Sequence, residues 1–120
     1  MEWIKLEKYK KKFKALRSEI DSLQSYLSKI DEMRTGVSII SPYAISKVLS
    51  IPEIDAYFLL SLAEDEKLVH KVYKVWTNDD EYLLGEYDVK EQIPQKITNN
   101  ATGKEVDKDH FYIDVVFEVA

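Results

Sequence analysis

The sequence predicts an α+β fold in which a long N-terminal helix precedes a small mixed domain and a C-terminal β extension. Three observations point there: apolar residues recur in four heptads before residue 36, two Pro-marked segments of helical spacing follow, and β-branched and aromatic runs dominate from residue 67 onward. At 120 residues, 45% of them hydrophobic, such a chain can bury about two thirds of its unfolded surface without metals or cross-links.

From Leu6, two interleaved series, Leu6, Phe13, Ile20, Leu27 and Tyr9, Leu16, Leu23, Ile30, keep a seven-residue spacing with no Pro or Gly before Gly36. This a/d pattern predicts one helix over residues 2–33 with a narrow apolar seam, on the order of 45 Å long at the α-helical rise. Thr35-Gly36 supplies a stop. The β-branched run at residues 37–40 suits a short strand, and Ser41-Pro42 reads as an N-cap followed by Pro at the first helical position. The helix after it has Ala44, Ile45, Val48 and Leu49 on its apolar face and ends at Ser50-Ile51-Pro52. Pro52 opens a second helix to about residue 64, with Ile54, Tyr57, Phe58, Leu59 and Leu62 on a broad buried face.

Residues 67–77 predict a strand, Asn78-Asp79-Asp80 a turn, and residues 81–88 the returning strand of a hairpin. The stretch holding Pro94, Asn99, Asn100 and Gly103 reads as irregular chain, and residues 111–119 as a last strand. The organisation expected is therefore a helix over 1–35, a core over 36–90 and an irregular segment with its strand over 91–120.

Charge divides the chain. Residues 1–17 carry seven Lys and Arg against two Glu, a net of +5, whereas residues 36–120 carry eight Lys and sixteen acidic residues. A basic arm joins an acidic body. No signal-peptide-like or membrane-spanning apolar run is present in the sequence, so a soluble, cytoplasmic protein is expected, with no membrane partner.

The order long helix, short strand, helix, Pro-marked turn, helix, hairpin resembles the winged helix-turn-helix family. The match is carried by Ile45, Val48 and Leu49 before the turn, Ile51 in it, Ile54, Phe58 and Leu62 after it, and Leu68, Val69, Val72 and Val75 entering the wing. The tail is similar to a zinc-ribbon knuckle that has lost its cysteines, because Asn99 and Thr102 precede Gly103 where thiols would stand. That departure removes the metal the resemblance would imply.

The resemblance implies a DNA-reading helix over residues 52–64, yet its polar positions are Glu53, Asp55, Ser61 and Glu64, with Asp65 and Glu66 next. Base readout leans on Arg, Lys, Asn and Gln, and carboxylates repel phosphates, so DNA recognition through this helix is disfavoured. Catalysis lacks its parts: there is no Cys, no nucleophile elbow and no phosphate loop, and His70 and His110 stand apart in sequence. No catalytic residue, metal, cofactor or small-molecule substrate is expected. Association remains.

The seam residues Leu6, Tyr9, Phe13, Leu16, Ile20, Leu23, Leu27 and Ile30 are accordingly expected to bind a second copy of the chain or another protein. The role expected is a non-catalytic adaptor, and the winged-helix resemblance implies a place in a bacterial multi-protein assembly. Parallel self-pairing would set Lys5 against Lys10 and Lys12 against Arg17, so an antiparallel mate or an acidic partner suits the helix better. The alternative is a DNA-binding regulator that contacts phosphates through Lys10, Lys11, Lys12, Lys14 and Arg17.

Overall fold

The computed structural model describes residues 3–33 and 39–119. The fold is α+β, with four α-helices and six strands in antiparallel sheets among the described residues. Its helices are α1 (Glu7–Lys12), α2 (Arg17–Met33), α3 (Pro42–Leu49) and α4 (Glu53–Asp65). Its strands are β1 (Ile39–Ile40), β2 (Val69–Thr77), β3 (Leu83–Tyr87), β4 (Lys96–Asn99), β5 (Lys104–Asp107) and β6 (Phe111–Val119). Four strands pair in the order β1-β6-β2-β3, and β4 pairs with β5. The chain forms two compact units, Met1–His70 with Phe117–Ala120, and Lys71–Val116.

In the first unit the expected single helix is broken. A 3-10 turn at Trp3–Leu6 leads into α1, Phe13 leaves helical angles (φ −119°, ψ 71°), and a second 3-10 turn at Lys14–Leu16 leads into α2. The bend lets the halves close on each other: the Gln24 amide donates to the Trp3 carbonyl at 2.9 Å, and Lys10 reaches Asp21 at 2.9 Å. The bend turns the apolar stripe of both halves inward, burying Leu6, Tyr9, Ile20, Leu23 and Leu27. The predicted stop at Thr35-Gly36 and the strand residues Val37 and Ser38 lie outside the described residues.

The next elements follow the sequence closely. Ser41 accepts a hydrogen bond from the Ala44 amide at 3.0 Å, capping α3 with Pro42 in its first turn. Ser50 ends α3 in the left-handed conformation (φ 54°), and Pro52 precedes α4. The buried face of α4, however, is Ala56, Leu59, Leu60, Leu62 and Ala63, while Ile54 and Phe58 are exposed. Val48 of α3, expected inside, is also exposed. The core of the first unit gathers Leu6, Ile20, Leu23 and Leu27 with Ile45, Leu59, Leu60 and Phe117, all nearly or fully buried. Tyr57 meets Phe117 edge-on at 5.9 Å, and β1 pairs with the end of β6 through Ile40 and Phe117.

In the second unit β2 and β3 form the predicted hairpin, with a bulge between Val75 and Trp76 and a cross-strand Lys74–Glu86 ion pair at 3.3 Å. The stretch expected to be irregular instead contains the β4–β5 hairpin, paired from Lys96↔Asp107 to Asn99↔Lys104. Its turn is held by side chains. Asn99 Oδ1 accepts from the Ala101 amide at 3.0 Å, the Gly103 amide donates to the Asn99 carbonyl at 2.7 Å, and Gly103 takes φ 75°. A Pro and a cluster of turn residues hid a hairpin whose strands are only four residues each.

Candidate functional site

The eight seam residues expected to meet a partner lie in the first unit, and five of them are buried there: Leu6, Tyr9, Ile20, Leu23 and Leu27. Phe13, Leu16 and Ile30 are half-buried. Most of the seam thus packs inside its own unit, and the break at Phe13 corrects the expectation of one straight projecting helix. The period that coils two helices also packs one bent helix onto its own domain, because both arrangements need the same apolar stripe.

The break at Phe13 is anchored from several sides. Its ring stacks on Tyr9 at 6.2 Å and meets Phe58 of α4 edge-on at 5.1 Å. The Tyr9 hydroxyl in turn donates to Glu66 Oε2 at 2.7 Å, and Lys8 reaches the same oxygen at 2.9 Å. The carboxylate beside it pushes the Tyr9 hydroxyl up to about 12, helped by burial, and Glu66 is held below its ordinary range by Tyr9 and Lys8.

The five cations expected to contact an anion do not share one fate. Lys10 is spoken for, bonded to Glu7 at 2.8 Å and Asp21 at 2.9 Å, and these carboxylates hold its pKa up while Lys10 pulls that of Glu7 down. Lys12 sits 5.5 Å over the Phe13 ring. Lys11, Lys14 and Arg17 are exposed, pair with no acid among the described residues, and line with Glu7 and Lys10 a cleft of about 320 Å³ at the bend. A second opening of about 510 Å³, lined by Lys10, Lys14 and Arg17 together with Glu19 and Asp21, continues along the start of α2.

Val48, Ile54 and Phe58, which the sequence assigns to buried faces, join Tyr43 in the other exposed feature of this unit. On α3, Tyr43 and Val48 are exposed, with the Lys47 ammonium 5.2 Å above the Tyr43 ring. On α4, Ile54 is 78% and Phe58 37% exposed. A signal for this was present: eight of the thirteen residues of α4 are apolar, more than one buried face of a helix can hold.

The second unit offers a polar cleft of about 440 Å³ lined in part by Asp79, Tyr82, Asn99, Thr102 and His110. Its groups satisfy one another. Asp79 accepts from the Thr77 hydroxyl and the Glu81 amide, and His110 Nδ1 lies 2.8 Å from Asp107 Oδ1, a pairing that raises the His110 pKa and lowers that of Asp107. Among the described residues no set of three or more His, Cys, Asp or Glu side chains is placed to hold a metal ion, and no helix is long and apolar enough to cross a membrane.

Compared with protein-family models, curated proteins and solved structures, the chain shows no significant match.

Proposed function

We propose that this protein is a non-catalytic interaction module whose binding surface is the outward face of α3 and α4. One observation carries this reading: Tyr43, Val48, Ile54 and Phe58 are exposed on two consecutive helices, although the same helices supply Ile45, Leu59 and Leu60 to a filled core. Large apolar side chains held at the surface of a folded unit favour a partner that covers them. In this reading α3 and α4 correspond in chain order to the helix-turn-helix of a winged helix, and the β2–β3 hairpin to its wing. The helix that would read DNA presents Glu53, Asp55 and Asp65, which favours protein over phosphate as the object bound.

The test is recovery of the full-length tagged chain from its native host with whatever binds it in stoichiometric amount. Tyr43→Glu and Val48→Glu, which alter exposed positions, should release that protein without changing the melting transition. A partner retained by both variants would refute the assignment of this face, and a chain recovered alone would refute the function.

The basic bend supports a second reading, phosphate contact without base readout, because Lys11, Lys14 and Arg17 carry no ion pair with a described residue. A salt-dependent shift on duplex DNA distinguishes it.

A further inference from the structure

We infer that the bend between α1 and α2 is a docking site for an acidic segment of a partner protein anchored by apolar side chains, an inference that rests on the interaction-module reading. Apolar and basic surface meet at one residue. Phe13, held out of helical geometry, packs perpendicular to the Phe58 ring and lies 5.5 Å beneath the Lys12 ammonium. Phe58 keeps 37% of its surface exposed, and Ile54, one turn earlier on the same face of α4, keeps 78%.

The charge of this region has no internal answer. The chain carries 22 acidic residues against 17 basic ones, yet Lys11, Lys14 and Arg17 meet no acid among the described residues while Lys10 takes up both Glu7 and Asp21. Three like charges gathered within seven residues at the bend raise the local potential toward anions. The cleft they line with Glu7 and Lys10, about 320 Å³, lies at the small end of the range for ligand pockets.

The neighbouring acids select the occupant. Glu53 and Asp55 flank Ile54, so the apolar patch is bordered on α4 by carboxylates and at the bend by cations. A duplex carries a phosphate charge about every 1.7 Å along its axis and would press some of them against those carboxylates. A short segment that alternates acidic and apolar side chains can set its acids on Lys11, Lys14 and Arg17 and its apolar groups on Phe13, Phe58 and Ile54. Charge would then steer encounter while the aromatic pair holds the bound segment.

The experiment uses the full chain, isotopically labelled for amide spectra, and a synthetic peptide alternating Asp with Leu and Phe, with a Lys-for-Asp version and a duplex DNA as comparators. The acidic peptide should shift amides of residues 11–17 and 54–58, weaken as salt rises, and lose about tenfold or more in affinity for Phe58→Ala and for the Lys14→Glu, Arg17→Glu double variant. Ile54→Ser, at an exposed position, serves should Phe58→Ala fail to fold. The Lys peptide should leave the spectrum unchanged. No shift with the acidic peptide, or shifts confined to other residues, overturns the inference and leaves the host-partner test of the α3 and α4 face standing. Tighter binding of the duplex through the same residues overturns the choice of occupant and the interaction-module reading with it.

Discussion

The Tyr9 hydroxyl and the Glu66 carboxylate, separated by 57 residues in the chain, are joined by a 2.7 Å hydrogen bond that ties α1 to the end of α4. Tyr9→Phe should lower the melting temperature by a few degrees without altering the far-ultraviolet spectrum. The pH dependence follows from the direction of each shift. Glu66 is lowered in the folded state, so its contribution is present above the ordinary glutamate pKa and lost as pH falls through the depressed value. Tyr9 is raised to about 12, so its contribution is complete below pH 10 and lost as pH climbs through 12. The difference between parent and variant should be level near neutrality and shrink at both extremes, and thermal melts across pH measure it.

Burial of the seam makes a different demand. Leu27 is fully buried, and Leu27→Ala should cost about 2–5 kcal/mol, read as a lower urea midpoint with an unchanged slope. Leu23→Glu, also in the core, should unfold the first unit rather than dissociate a folded complex. A soluble, folded Leu23→Glu protein with altered sedimentation would restore the intermolecular seam.

The two ends of α3 should respond in opposite senses. Ser41→Ala removes the acceptor for the Ala44 amide and should cost about 1 kcal/mol. Ser50 adopts φ 54°, a conformation glycine takes without penalty, so Ser50→Gly should add up to about 1 kcal/mol. Chemical denaturation of both variants checks the sign.

In the β4–β5 turn, a Cβ on Gly103 would meet nothing within 4 Å, so the cost of Gly103→Ala lies in the backbone alone, roughly 1–2 kcal/mol at φ 75°. Hydrogen exchange should show the loosening confined to residues 96–107.

The His110–Asp107 pair sets a pH window of its own. His110 is raised by Asp107, so its side chain should titrate above the usual histidine value, and its stabilising share should be present below that usual value and fade as pH rises through the raised one. Asp107, lowered by His110, should lose its share as pH falls through its depressed pKa. In Asp107→Asn the histidine should return toward its ordinary value, as proton spectra of the imidazole would record.

Local chemistry was legible where it is decided locally. Ser41-Pro42 announced the start of α3, Ser50-Ile51-Pro52 its end, and Asn78-Asp79-Asp80 the turn between β2 and β3, because capping and turn formation involve neighbours a few residues away. The heptad period correctly marked which residues are apolar-facing through Leu6, Tyr9, Ile20, Leu23 and Leu27. A period names a face and not what lies against it. Whether that stripe met a second chain or its own domain depended on the bend at Phe13, which is held by Phe58, forty-five positions away, and by the Tyr9–Glu66 bond.

The α+β class, the caps and breaks of α3 and α4, the β2–β3 hairpin and the division between a basic arm and an acidic body could be read from the residues alone. Those follow from propensity, spacing and charge. Long-range packing set the rest: the arm folds back and buries most of its seam, Ile54 and Phe58 face outward while Leu59 and Leu60 face in, and Lys10 is paired while Lys14 and Arg17 are not paired with any described acid. The reason is physical. Each of these outcomes turns on which distant groups compete for the same apolar surface or the same cation, and that competition exists only once the chain has brought them together.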